Sequence, residues 1–273
     1  MNLAISNIAW KPKNRKKIYK FLSKEKISGI EIAPKLLLHN VKDIFKLNKK
    51  KINNHFKELQ KYNLQLVSMQ SLLYGANDCY LFYSKKQREN FIQHLSKVIV
   101  LAKKLKIPNL VFGSPKNRMI PSNMKYKDAE KIAIITFRKI GKIAKQNNIY
   151  FAIESNPKEY GTNFLNNIHQ TYNLVKKIKS SNIKINLDTG EILMNSETQN
   201  IEKIIKKCIK FINHVHISKP YLKPINNKKF FLKLINILKK YNYTKWVSIE
   251  MRNQDKNNFE NVKKAIRLLK KSF

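Results

Sequence analysis

The chain has 273 residues, 42% of them hydrophobic, and its 56 lysines and arginines against 17 acidic residues give a formal net charge of +39. This length suits a single α/β barrel, and no apolar run reaches the roughly 18 residues that a membrane span needs. The N-terminus lacks the charged-then-apolar order of a signal peptide, and Cys79 and Cys208 lie too far apart for a metal-binding spacing. We therefore expect a cytoplasmic protein with no membrane partner.

The positive charge is the feature that would indicate a nucleic-acid-binding protein. Only six of the basic residues are arginine, although arginine is the side chain that pairs bidentately with guanine and phosphate. The lysines are spread along every amphipathic stretch, and asparagine and isoleucine are also abundant, as AT-rich coding would produce. We interpret the charge as compositional and expect no nucleic-acid partner, with attraction of small anionic substrates as the alternative.

Short apolar runs alternate with longer stretches of helical spacing along the whole chain. The predicted strands cover 2–10, 28–34, 64–75, 109–115, 149–157, 182–190, 212–220 and 245–251. The predicted helices cover 13–26, 41–62, 84–105, 126–147, 163–179, 200–211, 227–241 and 258–273. Eight βα units with strands apolar on both faces predict one (β/α)8 TIM barrel over residues 1–273. An open doubly wound sheet, the alternative, usually has a glycine-rich first turn, and "NIAWKPKN" has no glycine.

Side chains that bind metals recur at the ends of four consecutive predicted strands: Glu154, Asp188, His216 and Glu250. The steps between them are 34, 28 and 34 residues, each about one βα unit. Barrel enzymes place their catalytic groups at this end of the strands. Each residue alone also fits a structural role, such as capping a helix or pairing with lysine. A buried carboxylate is costly unless a cation or hydrogen bonds compensate it, so the four together predict a shared divalent metal.

The seventh predicted strand contains two histidines, in "HVHISKP". A strand alternates its faces, so His214 and His216 point the same way. His216 lies nearer the C-terminal mouth and is the better ligand, whereas we expect His214 to be a packed, hydrogen-bonded neighbour. Three carboxylates and one imidazole favour Mn²⁺ or Mg²⁺, with Co²⁺ or Zn²⁺ as alternatives.

The segments "AIESNP", "LDTG", "HVHISKPYLKPI" and "YTKWVSIEMR" together resemble the sugar phosphate isomerase/epimerase superfamily. This is the xylose isomerase-like barrel group that includes ketose 3-epimerases, inosose dehydratases and DNA repair enzymes of the endonuclease IV type. The resemblance implies one divalent metal held by Glu154, Asp188, His216 and Glu250. It also implies that Glu154 and Glu250 exchange a proton with the substrate carbon from opposite faces.

One position departs from this group. Many members have a histidine three residues after the sixth-strand aspartate, where this chain has Glu191. The third and fourth strand ends carry Gln70 and Ser114, not the further histidines that a three-zinc repair nuclease needs. These differences weaken the expectation of epimerase-like sugar contacts and count against the nuclease.

Further polar residues follow the strand ends and are candidates for binding the substrate: Gln70, Lys116, Asn117, Arg118, Asn156, Glu191, His214, Lys219 and Arg252. Residues 116–118 could bind a phosphate or carboxylate on the substrate, or they could form an ordinary solvated loop. Glu31 could orient a catalytic base, or it could form an ion pair with a lysine. Trp10 and Tyr74 fit an apolar wall against a sugar, or ordinary packing.

We therefore expect metal-assisted proton transfer, through an enediolate, on a small polyhydroxy carbonyl compound such as a sugar or sugar phosphate. Isomerisation, epimerisation and dehydration all start from this step, and the residues do not separate them. A metal-dependent nuclease and a ligand-binding barrel without chemistry are the other hypotheses. The number of subunits is open, and a homo-oligomer is compatible with the sequence.

Overall fold

The computed structural model describes residues 1–226, 228–254 and 257–273. Its eight parallel strands pair in chain order, and the last pairs with the first, so the sheet is a closed barrel. The strands are β1 (Asn2–Ser6), β2 (Gly29–Ile32), β3 (Gln65–Met69), β4 (Asn109–Phe112), β5 (Tyr150–Glu154), β6 (Ile183–Asp188), β7 (Ile212–Ser218) and β8 (Trp246–Glu250). The predicted (β/α)8 architecture is confirmed.

Helices follow the strands around the outside of the barrel. They are α1 (Arg15–Lys24), α2 (Pro34–Leu37), α3 (Lys49–Lys61), α4 (Lys85–Lys104), α5 (Tyr126–Gln146), α6 (Ile168–Ile178), α7 (Thr189–Met194), α8 (Ile201–Cys208), α9 (Lys229–Lys240) and α10 (Asn258–Leu269). In the ranges that the structure describes, none of them combines the length and apolar character needed to cross a bilayer.

Helix starts follow the capping chemistry of the sequence. Ser84, predicted as the N-cap of α4, accepts a hydrogen bond from the Gln87 amide at 3.1 Å. Asn48 caps α3 by accepting from the Lys51 amide at 2.9 Å, so α3 begins well after the predicted start at residue 41. The prediction for α4 is confirmed, and that for α3 is too long at its N-terminus.

The end of β6 differs from the prediction in a way that matters for the site. The strand was expected to continue to residue 190, but it ends at Asp188 and α7 begins at the next residue. The Asp188 carboxylate accepts a hydrogen bond from the Glu191 amide at 2.7 Å and thereby caps α7. The segment "LDTG" is thus a strand end joined directly to a helix.

The core has an apolar outer layer and a polar barrel interior. Between barrel and helices, Phe112 packs against Phe91, Phe137 and Phe151 with ring centroids 5.6–5.7 Å apart. Inside the N-terminal end of the barrel, polar side chains from different strands bond to one another: Asn109 to Ser68 at 2.9 Å, Asn213 to Asn109 at 2.7 Å and Lys245 to Asn213 at 2.7 Å. This polar layer closes the barrel below the site.

Two register shifts lie beside the residues that form the site. One falls between Ile30 and Glu31 in the β2–β3 pairing, and the other between Ile185 and Asn186 in the β6–β7 pairing. Such bulges turn side chains away from the regular alternation and are common next to active sites.

Candidate active site

The structure brings the four predicted metal ligands together at the C-terminal mouth of the barrel. One ligand atom from each of Glu154, Asp188, His216 and Glu250 lies within 4.8 Å of all the others. Their positions follow from the barrel: parallel strands end at the same level, so consecutive strand ends converge on its axis. The four side chains are nearly or fully buried.

The imidazole of His216 faces two carboxylates. Its Nδ1 atom lies 2.9 Å from Glu154 Oε1 and 3.3 Å from Glu250 Oε2, yet it has no hydrogen-bond partner among the described residues. Its Nε2 atom lies 3.0 Å from Glu31 Oε2. When Nε2–H donates to Glu31, Nδ1 carries a lone pair directed at the carboxylate oxygens, and a cation between them satisfies all three groups. The residues present therefore fit a divalent metal.

The charges of the cluster lead to the same conclusion. Burial, together with repulsion from Glu154 and Glu250, raises the pKa of Asp188 to about 8. Burial also raises the pKa of Glu250, although His216 partly offsets it. Burial alone would lower the pKa of His216, but Glu31 and Glu250 outweigh it and hold that pKa well above its usual value. The raised pKa values of Asp188 and Glu250 reflect the crowding of carboxylates in this cluster, and a divalent cation would neutralise their ionised forms.

Glu154 is held by amides that bond to both of its carboxylate oxygens. Asn186 donates to Oε1 at 2.6 Å and Asn156 donates to Oε2 at 3.3 Å. Arg118 is completely buried and donates to the Glu154 backbone carbonyl at 2.7 Å and to Asn156 Oδ1 at 2.9 Å. The sequence predicts that Arg118 contacts the substrate. In the structure it instead lies in the protein interior and positions Glu154 and Asn156. Asn186 was missed, although it lies two residues before Asp188 and thus on the same strand face.

Asp188 is fixed from both sides as well. Ser218 donates from its hydroxyl to Asp188 Oδ2 at 2.6 Å, while Oδ1 accepts from the Glu191 amide. The Ser218 hydroxyl accepts in turn from the Gly190 amide at 2.8 Å, which ties the strand end to the start of α7. Sequence reasoning missed Ser218, but it continues the inward face that starts at His214 and His216.

Glu31 on β2 connects the first half of the barrel to the histidines. Its Oε2 atom lies 3.0 Å from the Nε2 atoms of both His214 and His216, and all three side chains are buried. Its Oε1 atom accepts from Gln70 Nε2 at 2.8 Å, and Gln70 also donates to Ser6 at 2.9 Å. Burial would raise the pKa of Glu31, but His216 and His214 hold it well below its usual value. Glu31 thus pairs with histidine and not with lysine, and both His214 and Gln70 support it from inside the core.

A cavity of about 390 Å³ opens above the four ligands. Of the predicted substrate-binding residues, Asn156 and Arg252 line it. Its further walls come from loops after β4, β5, β7 and β8: Gly113, Ser114, Pro115, Tyr160, Tyr221 and Leu222. The Tyr160 hydroxyl accepts from the Tyr221 amide at 2.8 Å, and burial, reinforced by Asp188, Glu250 and Glu154, raises the Tyr160 pKa to about 12. The phenol therefore stays protonated and can donate to a ligand.

Besides Arg118, His214 and Gln70, four more of the predicted substrate-binding residues lie outside the lining of this cavity as far as the described residues define it. Lys116 is exposed, and Asn117 donates to the Cys79 carbonyl at 2.7 Å. Lys219 donates to the side chain of Asn226 at 2.6 Å. Glu191 is completely buried and accepts from Asn195 at 2.6 Å; burial, then Glu197 and Asp188, raise its pKa to about 8.

Comparison with known proteins adds the family. Residues 20–272 match the family described as the xylose isomerase-like TIM barrel. No curated protein matches the sequence.

Solved structures share the fold at low sequence identity. A D-psicose 3-epimerase from Clostridium cellulolyticum H10 has a TM-score of 0.79 at 16% identity, over 100% of this chain and 98% of that one. A 3-keto-D-glucoside 4-epimerase from E. coli has a TM-score of 0.80 at 16% identity, over 99% of both chains. An AP endonuclease, family 2, from Brucella melitensis has a TM-score of 0.72 at 17% identity, over 97% of this chain and 98% of that one. With the family match over nearly its whole length and a closed eight-stranded barrel, the chain belongs to the xylose isomerase-like TIM barrel family.

Proposed function

We propose that this protein is a divalent-metal-dependent isomerase or epimerase that acts on a sugar, a sugar phosphate or a related polyhydroxy carbonyl compound. The observation that carries the proposal is the convergence of four ligand atoms within 4.8 Å beneath a cavity of about 390 Å³. Its support from relatives is that structures with this fold include a D-psicose 3-epimerase and a 3-keto-D-glucoside 4-epimerase.

Glu154, Asp188, Glu250 and His216, through its Nδ1 atom, would hold the metal. Oxygen-rich ligands with one imidazole suit Mn²⁺ or Mg²⁺, and Co²⁺ and Zn²⁺ are the alternatives. When bound, such an ion stabilises the negative charge that develops on a carbonyl oxygen and its neighbouring hydroxyl as a proton leaves the adjacent carbon.

Glu154 and Glu250 are the proposed proton carriers, because both line the cavity from different strands. Two amide donors hold both carboxylate oxygens of Glu154 in place beside the cavity, which suits it to accept the proton first. Glu250 lines the cavity from β8, on another side of the mouth from Glu154 on β5, and is therefore placed to return a proton. Return to the neighbouring carbon isomerises the substrate, and return to the opposite face of the same carbon epimerises it.

The test is deuterium incorporation from D₂O into a panel of ketoses, aldoses and their phosphates, with Mn²⁺-loaded protein. We expect incorporation into at least one compound, and we expect Glu154→Gln or Glu250→Gln to slow it by roughly 10²- to 10⁴-fold while the metal content is checked separately. Glu202→Gln is the matched control, because Glu202 lies on α8 with 44% of its side chain exposed.

Further assays on the same protein, with an inosose and with abasic DNA, separate the alternatives. Release of water from an inosose would indicate a dehydratase. Cleavage of abasic DNA would indicate a nuclease, and its DNA affinity would fall steeply with salt. A folded, metal-loaded protein that exchanges no proton with any sugar would contradict the proposal and favour a barrel that only binds its ligand.

A further inference from the structure

A second and larger cavity, of about 730 Å³, lies beside the catalytic one. Its walls come from the segments after β1, β2 and β3 and from α4, whereas the catalytic cavity lies over the later strands. The two cavities share one lining residue, Arg252. The larger cavity therefore adjoins the barrel mouth at Arg252 and is a candidate for binding a second part of the same ligand.

The walls of this larger cavity are mostly apolar, and several are aromatic. The apolar lining includes Trp10, Leu38, Val41, Ile44, Phe45 and Leu72. Phe45 meets His94 edge to face, with ring centroids 5.3 Å apart, and Tyr74 stands at the rim with 73% of its surface exposed. A free sugar would leave these walls against water, whereas a flat apolar group would cover them.

The polar groups around the larger cavity are mainly cationic. Lys35, Lys42 and Arg252 line it; among the described lining residues Asp43 is the one acid, and it already accepts a hydrogen bond from the Phe45 amide at 2.9 Å. Within the described ranges, the ammonium of Lys42 and the guanidinium of Arg252 have no hydrogen-bond or ion-pair partner. Arg252 at the junction of the two cavities matches a carboxylate, which a guanidinium binds through two parallel hydrogen bonds.

From these observations we infer that the substrate is a conjugate, in which a polyhydroxy head is joined to an aromatic group bearing a carboxylate. The head occupies the catalytic cavity, the aromatic group lies against the walls formed after β1 to β3, and the carboxylate pairs with Arg252. This inference rests on the proposed function for the identity of the head, but the binding of the aromatic group does not require turnover.

Three probes test the inference by calorimetry on the Mn²⁺-loaded full chain: methyl, phenyl and 4-carboxyphenyl β-D-glucoside. We expect the carboxyphenyl compound to bind at least about tenfold more tightly than the methyl compound, with the phenyl compound in between. Equal affinity for all three would overturn the inference. Equal affinity of the phenyl and carboxyphenyl compounds would overturn the assignment of the acid.

Variants place the binding in the cavity. Val41→Trp fills the larger cavity and should remove the advantage of both aryl compounds while leaving the methyl compound unchanged, and Ile44→Trp fills it from another wall should the first variant fold poorly. Val100→Trp is the matched control, because Val100 is 43% exposed on α4. Arg252→Gln should reduce the affinity of the carboxyphenyl compound to that of the phenyl compound measured on the same variant. Aryl affinity that survives both filling variants would overturn the assignment.

The two proposals fail in different ways. Loss of the aryl preference leaves deuterium exchange into free sugars intact and overturns only the conjugate. Absence of exchange with a retained aryl preference overturns the proposed chemistry and leaves the larger cavity as a binding site.

Discussion

The two halves of the barrel mouth differ in chemistry. The ends of β5 to β8 carry four polar ligand residues that face a small cavity, whereas the segments after β1 to β3 form a larger cavity with mostly apolar walls. The inward polar residues of the first half, Ser6, Glu31 and Gln70, are buried beneath the mouth and bond to one another. On the proposed function, the second half would perform the chemistry, and the first half would position it and select the ligand.

One hydrogen bond links the two halves at the candidate metal site. Glu31 on β2 and His216 on β7 are 185 residues apart in sequence, yet their side chains lie 3.0 Å apart. This bond sets which nitrogen of His216 faces the carboxylates. On the proposed function, the first half would therefore contribute to metal binding without supplying a ligand.

Removing one of the four proposed ligands in the second half should have the largest effect on metal binding. Asp188→Asn keeps the shape of the side chain but removes its charge. We therefore expect Mn²⁺ affinity to fall by more than roughly 100-fold, which exceeds the loss typical when a residue that hydrogen-bonds to a ligand is removed. Titration calorimetry on folded protein measures this. An unchanged affinity would mean that Asp188 only caps α7.

A change in the first half should have the next largest effect. Glu31→Gln weakens the bond to His216 Nε2, and we expect Mn²⁺ affinity to fall roughly 10- to 100-fold although no ligand changes. Glu58→Gln is the control, because Glu58 pairs with Arg15 at 2.9 Å outside the site. Equal affinities of the Glu31 variant and the wild type would break the proposed link between the halves.

The pH dependence of metal binding tests whether the buried cluster holds protons that the ion displaces. Burial and the neighbouring glutamates raise the pKa of Asp188 to about 8, and burial raises that of Glu250, so in metal-free protein these groups hold protons that the ion must displace. His216, whose pKa is also held well above its usual value, carries a third proton, so Mn²⁺ affinity should rise with pH by about tenfold per pH unit for each proton displaced and keep rising above about pH 8. Calorimetry in buffers of different ionisation enthalpy counts the protons, and a flat profile would contradict this charge balance.

The smallest effect on the site is expected from the opposite end of the barrel. Asn213→Ala removes the amide that donates to Asn109 Oδ1 and the oxygen that accepts from Lys245, so the free energy of unfolding should fall by about 1–3 kcal/mol while Mn²⁺ affinity stays unchanged. Urea denaturation of metal-free protein and calorimetry measure the two quantities. A loss of metal affinity would show that this polar layer is coupled to the mouth.

The sequence allows the barrel and the convergence of the four ligands to be predicted for one physical reason. A βα unit recurs about every 30 residues and parallel strands end at a common level, so residues such as Glu154 and Glu250 meet although they are far apart in the chain. Strand alternation would also have identified Asn186 and Ser218, because each lies two residues from a predicted ligand on the same strand face.

Other features depend on contacts that no local pattern encodes. Arg118 follows β4 in a basic segment typical of a solvated loop, yet it is buried against the Glu154 carbonyl. The pairing of Glu31 with His216 crosses the barrel, and the register shift beside Glu31 is visible only in the strand pairing. The larger cavity likewise depends on how three separate loops pack together.

Anomalous X-ray diffraction from crystals grown with Mn²⁺ tests the central claim most directly. The account predicts one strong anomalous peak at the C-terminal mouth, within coordination distance of His216 Nδ1 and of the carboxylates of Glu154, Asp188 and Glu250. A peak elsewhere, or no peak in protein shown to be folded, would contradict it.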